Sequence, residues 1–241
     1  MTEAHKLVEQ GCPGKTIVIT EKQTNGRGRL NRSWISNTGG LYFTYILRPE
    51  VPYTLSWRYN FAASLSIAKV LCELYKIDAV IKWPNDILVP DKTSSKINLG
   101  WENYFGSKKI AGILSDMQIK SEQIKYLNMG IGINVNNNTS SEVPDSCSIK
   151  KLVGKNVSRK KLLTALLKTL EDYLSNIDDT GLIDEWKSFS IIKNAQVKVV
   201  TPVETIFGKA LDIDNEGALL LELKNGTLKR IIYGDCFPVN N

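Results

Sequence analysis

Histidine is almost absent from this chain: of 241 residues only His5 is one, set among polar residues near the N-terminus. That excludes a histidine-rich metal site and a histidine-based triad as the main chemistry. Cysteine is scarce too. Cys12, Cys72, Cys147 and Cys236 lie far apart and form no Cys-x-x-Cys pair, so neither a zinc site nor a disulfide framework is indicated. No apolar run is long enough to span a bilayer and no signal-peptide core opens the chain, so the expectation is a cytoplasmic protein with no membrane partner. One-sided charge is also missing. Lys+Arg 31 against Asp+Glu 25 gives +6, and the lysines are scattered, without the basic stripe of a nucleic-acid binder. Nucleic acid is therefore not expected as a partner, while the mild positive field favours anionic substrates or an acidic protein.

What the chain does have is alternation of strand and helix patterns. Residues 2–10 read as a helix ended by Gly11 and Pro13, and Thr16–Thr20 as a β-branched strand. A polar, glycine-rich stretch over 24–40 precedes the apolar strand 41–47. Helical spacing of Leu55, Tyr59, Ala62, Val70 and Leu74 predicts a long helix over 54–75. Short strands 79–82 and 87–89 flank Pro84, and 109–119 with 124–135 form a hairpin pair. A leucine-faced helix follows over 158–177, capped by Ser158, then a helical piece around Trp186 and Phe189. This interleaving suggests an α/β or α+β domain built on one mixed sheet, and α+β is the class expected. From about residue 194 only short strands remain (197–200, 205–213, 218–223, 228–232), with Asn225-Gly226 as a hairpin signal. They predict a small barrel, and the chain divides into residues 1–191 and 192–241.

Four segments carry candidate chemistry. In Gln23 to Trp34, Gly26 and Gly28 let backbone approach a ligand, while Arg27, Arg29 and Arg32 supply planar cationic forks for phosphate or carboxylate oxygens. Trp34 follows, an aromatic able to stack on a base, and no Walker ending is present. In Lys82-Trp83-Pro84-Asn85-Asp86, a proline turn presents an amide and a carboxylate at the sheet edge, suited to a metal-bound phosphate or an attacking amine. In Lys108 to Leu114, strand alternation places Lys109 with Ala111 on one face and Gly112 with Ile110 and Leu114 on the other. In Met129 to Val135, Gly130, Gly132 and Asn134 share a face, a bare strip on which something packs flat.

In this order, the segments GRGRLNRSW, KWPND, KIAGIL and GIGIN, with Ile231-Ile232-Tyr233-Gly234-Asp235 near the end, resemble the biotin protein ligases over nearly the whole chain. The resemblance implies a mixed-sheet catalytic domain over 1–191 and a small C-terminal SH3-like barrel over 192–241. It implies a short form without an N-terminal DNA-binding domain, and attachment of biotin to a lysine of a biotin carrier domain through biotinyl-5′-AMP. ATP with Mg²⁺ and biotin would be the small molecules, the carrier domain of a biotin-dependent carboxylase the protein partner, and a homodimer the oligomer. Matched motif by motif, Gln23, Gly26, Arg27, Gly28, Arg29, Lys109, Gly112, Gly130 and Gly132 are expected to bind biotin. Arg29, Arg32, Trp34, Lys109 and Asn134 are expected on ATP and the adenylate, with Lys109, Arg29 and Asp86 catalytic and magnesium near Asn85 and Asp86.

The chain departs from the family pattern in two places. The family's Ser-Thr pair ahead of the first helix is replaced by Met1-Thr2-Glu3-Ala4, and residues 90–108, with Trp101, Tyr104 and Phe105, replace a tight turn by an expected packed excursion. Two other readings stand beside the main one. A lipoate or octanoate ligase of the same fold would show an arginine pair leading into three glycines, and a catalytically impaired relative would only bind biotin or its carrier.

Overall fold

Every residue of the run Leu41–Leu47 is buried, as in a strand with both faces covered. The computed structural model describes residues 1–89, 106–139 and 143–239. In chain order its elements are α1 (Thr2–Glu9), β1 (Thr16–Thr20), β2 (Leu41–Leu47), α2 (Ser56–Tyr75), β3 (Val80–Lys82) and β4 (Asp86–Val89). Then come β5 (Lys108–Lys120), β6 (Gln123–Ile133), α3 (Ile149–Val153), α4 (Arg159–Ser175) and α5 (Gly181–Phe189). The last are β7 (Gln196–Val200), β8 (Thr205–Ile213), β9 (Leu219–Glu222), β10 (Leu228–Ile231) and β11 (Asp235–Pro238).

The large sheet runs β1-β2-β6-β5-β4-β3. Its ladders are antiparallel, and among the described residues the parallel component of the expected mixed sheet is confined to the isolated bridges Ile81–Ser190 and Lys109–Ser146. Period two sorts β2 cleanly. Phe43, Tyr45 and Leu47 enter the main core with α2, α4 and α5, where Phe61 stacks on Trp186 at 4.3 Å. On the opposite face α1 covers Ile46 with Ala4 and Val8, and a cleft opens over Tyr42 and Thr44. Ser158 caps α4 as expected, accepting from the Lys161 amide at 3.2 Å.

The C-terminal module is a five-stranded antiparallel sheet, β10-β9-β8-β7-β11. No ladder joins β10 to β11 among the described residues, so closure into the expected barrel is not seen. Of the hairpin pair Asn225-Gly226 only Gly226 takes a positive φ (78°), while the Asn225 side chain accepts from the Thr227 amide. The strand β11 and the five-residue α3 were not expected; α3 is too short to show a period, and Pro238 breaks the strand pattern of β11. The module is seated firmly. Trp83 donates to the Gly217 carbonyl at 3.0 Å, and Gly217 has φ 76° with the Trp57 ring 2.8 Å from where a Cβ would stand. The excursion expected at residues 90–108 lies outside the described residues from Pro90 to Phe105.

Candidate active site

Strand register builds the floor of the site. Lys82 opposes Asp86, Asp86 opposes Gly112, Gly112 opposes Gly132, and Gly132 opposes Tyr42, giving one row across β3, β4, β5, β6 and β2. The neighbouring row is Leu114, Gly130 and Thr44. Directly opposed residues share a face, so the glycines leave a bare strip with charge at one end and hydroxyls at the other. A cleft of about 500 Å³ lies over it.

Strict alternation along β5 set Lys109 on the face away from Gly112. The structure corrects this. Between β4 and β5 the register slips, so that Ile87 opposes Ala111 but Leu88 opposes Lys109, and the extra residue Ile110 makes a bulge. The bulge turns Lys109 onto the cleft face, where its Nζ lies 3.3 Å from the place a Gly112 Cβ would occupy. Lys109 Nζ is 2.6 Å from Asp86 Oδ1, and Lys82 Nζ is 2.8 Å from Asp86 Oδ2. Burial alone would raise the Asp86 pKa, but the two ammonium groups outweigh it and hold the carboxyl well below the usual range. Burial pulls Lys109 below the ordinary lysine value, partly offset by Asp86.

This arrangement does not fit a magnesium ion held by Asn85 and Asp86. Each Asp86 oxygen already carries an ammonium, the Asn85 amide donates to the Ile113 carbonyl at 2.6 Å, and its oxygen faces Arg29 Nη1 at 3.4 Å. Among the described residues there is no group of three or more His, Cys, Asp or Glu placed to hold a metal ion.

The glycine/arginine segment folds into a narrow clip. Arg27 bridges Ser33, the Gly28 amide donates to the Arg32 carbonyl at 2.6 Å, and the Trp34 amide to the Gly26 carbonyl at 2.9 Å. Leu30 and Asn31 turn it with φ 49° and 58°, both in the left-handed region, which matches a type I′ hairpin tip. Gly26 sits at the neck, where a Cβ would come 2.2 Å from the Trp34 carbonyl. The tip bends over the cleft and is tied to the C-terminal module. Asp235, at the start of β11 and 3% exposed, faces Arg29 Nε at 3.6 Å through Oδ1 and pairs with Arg32 through Oδ2. The Arg29 guanidinium also lies over the Tyr233 ring at 4.6 Å, and burial lowers its pKa from the usual arginine value. Arg32 and Lys82 both lie over the Phe237 ring, at 5.6 and 5.4 Å.

The cleft therefore gathers Gln23, Arg27, Gly28, Arg29, Arg32, Trp34, Asn85, Asp86, Lys109, Gly112, Gly130, Gly132 and Asn134 on one wall or another. Of the residues expected at the site, Gly26 alone does not line it; it shapes the clip from below. Gln23 is fixed by Ser36, whose hydroxyl donates to its amide oxygen at 2.6 Å, and the Asn134 side-chain oxygen accepts from Asn137 at 3.1 Å. The Trp34 indole lies on Gly112 and Gly132. Lys82, Thr44, Asp235 and Phe237 were not singled out from sequence. Lys82 and Asp235 stood inside quoted motifs, but nothing local reveals that Asp235 reaches Arg32, 203 residues earlier in the chain.

Comparison with known proteins places these features in context. Residues 2–134 match the model of the biotin/lipoate A/B protein ligase family, and residues 194–237 that of the biotin protein ligase C-terminal domain. The bifunctional ligase/repressor BirA of Bacillus subtilis is 33% identical over 96% of this chain and 69% of its own length. A biotin–[acetyl-CoA-carboxylase] ligase of Mycobacterium tuberculosis is 24% identical over 88% of this chain and 75% of its own. Among solved structures, the biotin protein ligase of Aquifex aeolicus in complex with biotin and ATP superposes with TM-score 0.77 at 26% identity. That match covers 98% of this chain and 94% of the other.

Proposed function

The chain belongs to the biotin/lipoate A/B protein ligase family, and we propose that it is an ATP-dependent, AMP-forming ligase that attaches biotin to a specific lysine of a biotin carrier domain. The observation that carries this reading is the meeting of Arg29, Lys109, Asp86 and the Gly112–Gly132 strip in one cleft.

In the first step the biotin carboxylate attacks the α-phosphorus of ATP, the bond to the bridging oxygen breaks, and pyrophosphate leaves. In the second, the acceptor amine attacks the acyl carbon of biotinyl-5′-AMP, the amine loses a proton, and AMP leaves. Negative charge gathers around one phosphorus in both, so preorganised cations supply the main stabilisation. Arg29, held by Asp235 and Tyr233, bridges carboxylate and α-phosphate, and Arg32 assists at the phosphate oxygens. Lys109 neutralises the acyl-phosphate oxygens. Asp86 remains a carboxylate between two lysines and offers the incoming amine a fixed negative charge. Gln23, Arg27, Gly28 and Gly130 surround biotin, Trp34 stacks on adenine, and Asn134 meets the adenine edge. Magnesium comes with the nucleotide phosphates, and no residue of this chain is assigned to it.

The proposal extends to a catalytic domain over 1–191 and a C-terminal domain over 192–241, a homodimer, and a cytoplasmic setting. No helix among the described residues is long and apolar enough to cross a membrane. The test is pyrophosphate release with ATP and biotin, followed by transfer of biotin to a carrier domain. Biotin-dependent release is the expected result, and its absence with active, folded protein overturns the reading.

A further inference from the structure

The Trp34 indole occupies the seat that the bare glycine strip makes. A Cβ on Gly132 would stand 2.7 Å from Trp34 Nε1 and 2.8 Å from Cε2, and one on Gly112 would stand 3.1 Å from Cζ3. The two glycines oppose each other on β5 and β6, so one flat ring covers both. Lys109 Nζ lies 5.1 Å from the centre of the same ring. Yet the indole is not satisfied there, because its Nε1 is buried without a hydrogen-bond partner among the described residues. A buried, unmatched donor is rare in folded proteins and penalises the state that contains it.

From this we propose that Trp34 reversibly fills the ring seat of the acid substrate, so that biotin binds by displacing the indole from Gly112 and Gly132. The inference rests on the biotin ligase reading of the cleft. Clip geometry allows the exchange. Trp34 is anchored at its backbone, where its amide donates to the Gly26 carbonyl, so the exchange needs only the side chain to swing. A ring seated on both glycines takes over contact area that the indole vacates. The filled state lowers the apparent affinity for biotin by the fraction of molecules with the seat open.

The test uses the full chain, with biotin alone and no nucleotide. Tryptophan emission under acrylamide quenching is recorded for the parent and for Trp34→Phe, and the difference isolates Trp34. Calorimetry gives the biotin Kd for the parent and for Trp34→Ala, with circular dichroism confirming that each variant folds. The expected results are that biotin raises the quenching of Trp34 and that Trp34→Ala binds biotin several-fold, up to about tenfold, more tightly. Octanoate binding, which needs the same open seat, should gain by the same factor. If the parent binds biotin while Trp34 quenching stays constant, or if Trp34→Ala binds biotin no better or more weakly, the proposal is overturned and the ligase reading stands. If neither protein binds biotin, the ligase reading falls and takes the proposal with it.

Discussion

Asp235 on the last strand stands against Arg29 of the clip, Oδ1 3.6 Å from Nε, while its other oxygen holds Arg32. The C-terminal module thus sets the position of the two arginines proposed to act at the phosphate. Asp235→Asn keeps the shape and removes the charge. Misplacing a reacting group by about 1 Å costs roughly 10²-fold, so pyrophosphate release should fall between about 10-fold and 100-fold. Melting temperature should drop as well, because Asp235 is buried and Arg29 largely so, and their charge pairing is lost. A variant with parental turnover would show that the module does not position the clip.

Lys109 yields a pH prediction. Its folded pKa is lowered by burial, so the ammonium is lost as pH rises through a value below that of an ordinary lysine. Adenylate formation should therefore decline on the alkaline side below the ordinary lysine value of roughly 10.4. Lys109→Arg, whose guanidinium stays charged, should remove that alkaline decline even if its rate is lower. Lys109→Ala should reduce adenylate formation by about 10²–10³-fold, the scale of losing one preorganised donor at developing charge. Both are read from pH profiles of pyrophosphate release.

Asp86 ties together two lysines, Lys82 and Lys109, and its removal leaves both charges without it. Asp86→Ala should cost about 3–5 kcal/mol of stability at neutral pH, seen in urea unfolding. The pH dependence follows from the direction of its shift. The folded pKa lies below the unfolded value, so its contribution is complete above the usual carboxylate range and is lost only as pH falls through the lower folded value. The stability gap between parent and variant should be constant from neutral pH down to about pH 5 and shrink in stronger acid. A gap that already closes between neutrality and that point would contradict the ion-pair geometry.

Gly26 separates clip shape from ligand contact. A methyl there would lie 2.2 Å from the Trp34 carbonyl, in backbone that has no room to give. Gly26→Ala should destabilise by about 1–3 kcal/mol and weaken biotin binding, although Gly26 does not line the cleft. Thermal unfolding and calorimetry check both halves.

Much of this was legible in the sequence, because burial and register leave periodic marks. The β2 run, the leucine face of α4 and the alternation of Gly130, Gly132 and Asn134 each predicted an element or a shared face that the structure contains. What stayed hidden was set by contacts distant in the chain or by single-residue irregularities. The bulge at Ile110 leaves no composition signal, yet it decides which way Lys109 points. The link from Asp235 to Arg29 depends on how two modules dock, and Trp34 looked like a free stacking aromatic because only the fold brings Gly112 and Gly132 beneath it.

The central claim, a biotin-specific adenylating ligase, is tested most directly by offering the purified chain ATP with biotin, lipoate or octanoate in turn and following pyrophosphate release. The account predicts release with biotin alone among the three. Release with lipoate or octanoate in place of biotin, or none with any acid from folded protein, would contradict it.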